Sequence, residues 1–244
     1  MKRLGSRLTD FSLHHPRIVL GLVAGISVLF MLGATLPSVL PRAFPWLHGV
    51  KVDTDPENML SRDEAVRVFY NRMKEAFSLR DMVVVGVVNE EHEDGVFNVE
   101  SLKQVFELAE FTKTLRWAGK DGTDEGVVEV DLLAPSTVDN IEPGGPGVVR
   151  FEWLMAEPPS SREAALTIRD KAARMPFLNG TLLSEDGKAL CLYLPLTGKH
   201  LSYRVYSELR ERIAGFGGGN RFFITGLPVA EDTFGVEMFI QMGI

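Results

Sequence analysis

Hydrophobic and polar positions split this chain into one long apolar run near the N-terminus and a region where short apolar runs alternate with polar stretches. Ile18 to Leu36 carries no charge, and its only polar residues or glycines are Ser27, Thr35, Gly21, Gly25 and Gly33. As a helix rising ~1.5 Å per residue it spans ~28 Å, close to the ~30 Å hydrocarbon core of a bilayer. Pro16 suits the first helical turn, and Pro37, Pro41 and Pro45 are expected to stop the helix on the far side. Phe44 and Trp46 suit the far interface. A cleaved signal peptide has a shorter apolar core, ~7–15 residues, and a small-x-small cleavage site. This run ends instead in Thr35-Leu36-Pro37. The pattern predicts an uncleaved transmembrane helix over 18–36 and a stalk over 37–50, rich in proline and apolar residues.

Beyond residue 50 the periodicity becomes mixed. Ser61 to Phe77 reads as a helix: Ser61 and Glu64 have capping-box spacing, and Val66, Phe69, Tyr70, Met73 and Phe77 share one face. Met82 to Val88 is a Val-rich run that reads as a buried strand. Asn98 is placed to cap a second helix reaching about Trp117, with Leu102, Val105, Phe106, Ala109 and Leu115 as its apolar stripe. Gly119 to Gly126 reads as a polar loop and Val127 to Leu133 as a strand. Asp139 to Gly147, ending in Pro-Gly-Gly-Pro-Gly, reads as a linker or mobile loop. Ser160 and Glu163 open a third helix to about Met175. Leu182–Ser184 and Ala189–Leu196 flank a hairpin signal, Glu185-Asp186-Gly187-Lys188. Ser202 to Gly215 is a fourth helix, and Arg221 to Thr225 a last strand. From Val127 the order is strand, helix, strand, strand, helix, strand, which is the ferredoxin-like or split βαβ order. The fold class expected is α+β, with helices on one face of a mixed sheet.

Composition narrows the function classes. Hydrophobic residues make up 45% and charged residues 24%, which argues for a folded chain, and a formal net charge of −7 leaves no basic footprint for nucleic acid. Cys191, the single cysteine, excludes an internal disulfide and a cysteine-rich zinc site; inside Ala189–Leu194 it reads as a small core residue. Asp53, Asp55 and Glu57 cluster without calcium-loop spacing, and Glu90, Glu91, His92, Glu93 and Asp94 are adjacent in sequence and point different ways; both groups read as solvated turns. His14 and His15 sit at the membrane edge rather than on one helical face. The glycines from Gly215 to Gly219 follow a helix and precede a strand, the reverse of a phosphate loop, so they read as a helix C-cap and flexible turn. Asn179-Gly180-Thr181 matches a glycosylation sequon. No catalytic, cofactor-binding or metal-binding residue is assigned, and the substrate-binding residues are unknown.

Four stretches together resemble a known family. His15-Pro16-Arg17 leads into the apolar helix; Val52-Asp53-Thr54-Asp55-Pro56-Glu57-Asn58-Met59-Leu60 follows it; then come Asp81-Met82-Val83-Val84-Val85 and Phe223-Ile224-Thr225-Gly226-Leu227-Pro228-Val229. This pattern resembles the first membrane helix and first periplasmic porter region of resistance-nodulation-division (RND) exporters, in the hydrophobe and amphiphile branch related to the mycobacterial large membrane proteins. The resemblance implies a proton-driven exporter with twelve membrane helices and porter loops of ferredoxin-like subdomains. It implies hydrophobic, amphiphilic or lipid-like substrates and no cofactor. The family's proton-relay carboxylates lie in later membrane helices, so none maps onto this chain. The chain is then expected to be an N-terminal fragment.

The domain organisation expected is a cytoplasmic N-terminus over 1–17, a transmembrane helix over 18–36, a stalk over 37–50, a periplasmic porter domain over 51–228 and the start of a second transmembrane helix over 229–244. Glu231 and Asp232 would occupy the first turn of that helix, where the dipole favours negative charge. The partners implied are the membrane, a hydrophobic small molecule or lipid, the remainder of the transporter and, as an open question, further copies of the chain. A membrane-anchored periplasmic sensor or ligand-binding module is the alternative, and an anchored assembly factor a third class. Orientation follows from charge: Lys2, Arg3, Arg7 and Arg17 precede the apolar run against Asp10 alone, which places the N-terminus in the cytoplasm, and the family resemblance implies that the membrane is a bacterial inner membrane. A reporter active only in the periplasm, fused after Gly145, is expected to be active; an inactive fusion at normal expression would reverse the orientation.

Overall fold

The computed structural model describes residues 11, 13–40, 56–119 and 122–242. The chain forms two compact units, 1–53 and 54–244. The first contains helix α1, Pro16–Val39, with Pro16 in its first turn as its covalent geometry favours. Its Pro16–Leu36 stretch has a mean hydropathy of 2.4 and none of it is buried. Pro37 does not stop the helix where expected. The backbone continues to Val39, and the Leu40 N–H donates to Leu36 O at 2.8 Å. Only one helix among the described residues is long and apolar enough to cross a membrane. Most of the expected stalk, residues 41–50, lies outside the described residues, as do Phe44 and Trp46.

The second unit is α+β. Its elements are α2 (Ala65–Ala76), β1 (Met82–Val88), α3 (Val99–Lys113), β2 (Arg116–Ala118), β3 (Asp124–Gly126), β4 (Asp139–Gly145), β5 (Val148–Trp153), α4 (Arg162–Ala173), β6 (Ala189–Pro195), α5 (Ser202–Ala214), β7 (Arg221–Thr225) and α6 (Leu227–Met242). The Val-rich run forms the middle strand of a three-stranded antiparallel sheet ordered β6-β1-β7. Register sets its burial. Val83, Val85 and Val87 face Leu194, Leu192 and Leu190 on one side of the sheet, and all six are buried. The alternate positions, Val84, Gly86 and Val88, are only half-buried. On that second side lie Cys191, Tyr193 and an exposed Phe223, so Cys191 is half-buried rather than a core residue, and burial raises its thiol pKa.

The core completes the buried side of the sheet. Asn98 caps α3 as expected, its side chain accepting from the Ser101 N–H at 2.9 Å. The stripe Leu102, Val105, Leu108 and Ala109 is buried. From α5 come Val205 and Leu209, and from α4 Ala165, Ile168 and Ala172. Helix α3 touches both α4 and α5, and α5 touches β1 and β7.

Several boundaries differ from the sequence reading, each for a local reason. Val127–Leu133 is not a strand. It makes one bridge to Leu196 and one to Tyr193, with a 3-10 turn over Glu129–Asp131 between them. Val127 and Leu132 are both buried but an odd number of positions apart, so an unbroken strand would point one of them outward. Helix α3 ends at Lys113, and Trp117 lies in the β2–β3 hairpin. Leu182–Ser184 contributes only bridges at Leu183. The split βαβ order is therefore not formed as read. The cap of α4 is Ser161, which accepts from the Ala164 N–H at 3.2 Å; this puts Glu163 one position short of the capping box expected from Ser160. No capping box opens α2 either. Ser61 Oγ lies 3.5 Å from the Asp63 nitrogen, and the helix starts after an extended Glu64. Helix α6 begins at Leu227, which moves Glu231 and Asp232 out of its first turn. Leu192, fully buried in the register centre, is the residue on which to test the sheet. Leu192→Ala is expected to cost about 2–5 kcal/mol in denaturant unfolding, and Phe223→Ala on the open side well under half as much.

Candidate functional site

The segment read as a linker is a β-hairpin. Strands β4 and β5 pair antiparallel, with Asp139 opposite Trp153, Ile141 opposite Phe151, and Glu142 opposite Arg150. The signal was present in the sequence. Asn140-Ile141-Glu142 and Val149-Arg150-Phe151-Glu152-Trp153 both alternate, and the Gly/Pro cluster between them is a turn. Gly145 and Gly147 supply the positive φ, 126° and 75°, that the reversal requires.

Alternation gives the hairpin a polar face and an apolar face, and their placement is inverted. The polar face is seated on the body. Asn140 is 4% exposed. Lys171 of α4 donates to Glu152 Oε1 at 2.6 Å, and the Arg174 guanidinium lies 3.6 Å from Glu142. That hydrogen bond, helped by the Lys171 charge, holds the Glu152 carboxyl below its usual range. At the base, the Leu154 N–H donates to Val138 O at 2.8 Å and the Met155 N–H to Pro135 O at 3.0 Å, with both side chains buried. The apolar face points to solvent: Ile141 is 58%, Val149 57%, Phe151 69% and Trp153 49% exposed, with Val148 exposed at the tip. A cleft of about 310 Å³ between the hairpin and the turn that follows α4 is lined by Asn140, Ile141, Glu142, Pro143, Arg174 and Met175.

A second apolar surface is the α2 face read from sequence. Val66, Phe69, Tyr70 and Phe77 are exposed, and α2 has no buried residue. The helix is held by polar contacts. Arg67 donates to Asn58 Oδ1 at 2.7 Å and to Leu60 O at 2.8 Å, and Lys74 pairs with Asp81 at 2.8 Å.

The charged candidates form surface pairs. Arg162 bridges Asp94 at 2.7 Å and Glu93 at 2.8 Å, and its hydrogen bond holds the Asp94 carboxyl low. Glu90 pairs with Arg221, and the His92 N–H donates to Asn89 Oδ1 at 3.0 Å. No metal-binding cluster is present among the described residues. Asp53 and Asp55 lie outside those residues, as does the side chain of Glu57. His15 stacks on Phe11 with ring centroids 5.0 Å apart. Gly215 ends α5 as a C-cap, and the Gly217 carbonyl accepts from Gln104 Nε2 at 2.8 Å. Asn179, in the sequon, is exposed, and its Thr181 hydroxyl donates to Phe177 O at 2.7 Å.

Sequence reading also gave no hint of a polar network under this surface. Asn89 Nδ2 donates to Asn220 Oδ1 at 2.9 Å, Ser101 Oγ to the same oxygen at 2.6 Å, and Asn220 Nδ2 to Gln104 Oε1 at 2.7 Å. It ties β1 and α3 to the loop before β7. Its members are scattered along the chain, so no local pattern announces it.

No protein-family model matches the chain, and no curated protein gives a significant match.

The hairpin seat has a defined pH response. Because the folded Glu152 carboxyl titrates lower than an ordinary glutamate, ~4.3, its contribution is present above that value and fades only as pH falls through the lowered one. Amide protection over β4 and β5, corrected for intrinsic exchange rates, is expected to be unchanged from pH 7 to pH 5. Lys171→Ala is expected to speed exchange there several-fold while β1 stays protected. Fast exchange in the unaltered chain would mean that the hairpin is not seated.

Proposed function

We propose that this chain is the N-terminal segment of a proton-driven RND-type exporter of hydrophobic or amphiphilic, lipid-like molecules. In this reading α1 crosses a bacterial inner membrane with residues 1–17 in the cytoplasm. The domain over 51–228 is a periplasmic, ferredoxin-like porter, and α6 opens a second membrane helix. The observation that carries the reading is the wiring of β7 to α6. Two of the stretches behind the family resemblance, Asp81–Val85 and Phe223–Val229, are far apart in sequence yet adjacent in the sheet, Val84 opposite Thr225 and Val85 opposite Ile224. From Thr225 the chain turns through Gly226 directly into α6.

That junction is stiff. Gly226 has φ +127°, and a Cβ there would come within 2.3 Å of the Met82 carbonyl oxygen, so only glycine fits. The Ala230 N–H donates back to Gly226 O at 2.9 Å. The Ser202 hydroxyl donates to Asp232, and Lys199 pairs with Glu231 at 3.4 Å. The acidic pair thus serves the α5–α6 contact rather than the helix dipole. A shift of α6 is passed to β7 and α5 together, which suits alternating access by rocking of packed units. Helix α1 carries no acidic residue, so proton coupling belongs to other helices of an intact exporter.

An anchored sensor would use the same lever, and the uninterrupted reading frame separates the two. It is expected to encode further apolar spans, to lower accumulation of a fluorescent amphiphile several-fold in cells, and to lose that effect with a protonophore. Residues 1–244 alone are expected to change nothing. A frame without further spans, or efflux indifferent to the proton gradient, would sink the exporter reading.

A further inference from the structure

We propose that the apolar face of the β4–β5 hairpin is a homotypic interface, through which two copies of this chain associate face to face. This does not rest on the transport reading. The orientation of the hairpin is settled by its own residues: Glu142, Glu152 and the buried Asn140 hold one face down, which leaves Ile141, Val149, Phe151 and Trp153 directed away from the body. A two-stranded sheet gains little stability in water alone, and its apolar face calls for a second layer.

Area and charge select the occupant. With large aromatic side chains presenting ~150–250 Å² each, the exposures of Ile141, Val149, Phe151 and Trp153 amount to about 500 Å² uncovered. That is near the upper end for the largest apolar patch of a monomer, ~300–600 Å². Two such faces together bury about 1,000 Å², the lower bound of a specific interface and the area of a weak, reversible dimer. Two-stranded layers stack face to face at ~10 Å, and a two-fold axis makes the patch its own complement. Asp139, opposite Trp153, is the one charged residue on the exposed face of the hairpin and it is acidic, which disfavours an anionic lipid surface as the occupant. Asp139, exposed at the base of that face, stays in water at the edge of the paired arrangement, and the apolar side chains are covered. If α1 confines the chain to a membrane, it raises the local concentration that a weak dimer needs.

The test uses the full chain in phospholipid vesicles, with Cys191→Ala as background. Phe151→Cys and, independently, Val149→Cys are expected to form disulfide-linked dimers under mild oxidation in at least about five-fold higher yield than Arg150→Cys, which is also exposed but lies on the opposite face of the hairpin. Phe151→Glu, added to Val149→Cys, is expected to abolish most of that cross-link, while amide protection of β1 remains. Equal yields on both faces, or no yield above the cysteine-free background, would overturn the proposal. So would quenching of a fluorophore at Phe151→Cys by bromolipids, which would place the face in the bilayer instead.

Discussion

The described fold hangs on the pairing of β1 along both of its edges. A strand whose Val83, Val85 and Val87 are out of water has no solvent to satisfy its backbone groups, so both neighbours must be supplied. They come from far away in the chain, β6 and β7, and every segment between must return the chain to the sheet. The helices α3, α4 and α5 and the bridged loop around Val127 and Leu133 are the means of that return, and their apolar residues close over the same face. The cluster of Asn89, Ser101, Gln104 and Asn220 secures one end of this arrangement by matching donors to acceptors where apolar contact runs out.

The same sheet makes the two surfaces of the domain unequal. Its buried side is sealed by leucines and valines, and its other side retains half-buried positions and an exposed Phe223. From one end of β7 the chain passes through Gly226 into α6 with no flexible spacer. The turn brings the Gly226 backbone against the Met82 carbonyl, so the start of the helix is joined to the sheet by a close backbone contact. The coupling between an apolar helix and a folded sheet is thus a property of the backbone as much as of side chains.

The β4–β5 hairpin follows a different logic from the core. Its polar face is drawn inward by Lys171 and Arg174, and pairing carboxylates with cations beside the body forces the apolar partners outward, since alternate residues of a strand must face opposite ways. Seating the hairpin and exposing Phe151 are one event. The amphipathic α2 shows a related division: polar anchors at Arg67 and Lys74 hold a helix whose aromatic side remains open.

Much of this was legible in the residues. The apolar run of α1, the strands β1, β6 and β7, the Asn98 cap and the stripe of α3 follow from periodicity and capping chemistry, which act over neighbouring positions. Local pattern also misled where two signals competed. The Gly/Pro cluster at 143–147 outweighed the alternation on either side of it, and two serines in a row hid which one caps α4. Tertiary structure alone decided that Val127–Leu133 bends to bury two residues of opposite parity, that Glu231 and Asp232 meet Lys199 and Ser202, and that the hairpin lies on its polar side. Those outcomes depend on partners supplied by distant segments. A sequence states which face of an element is apolar, but which face is covered is decided by what the rest of the chain brings to it.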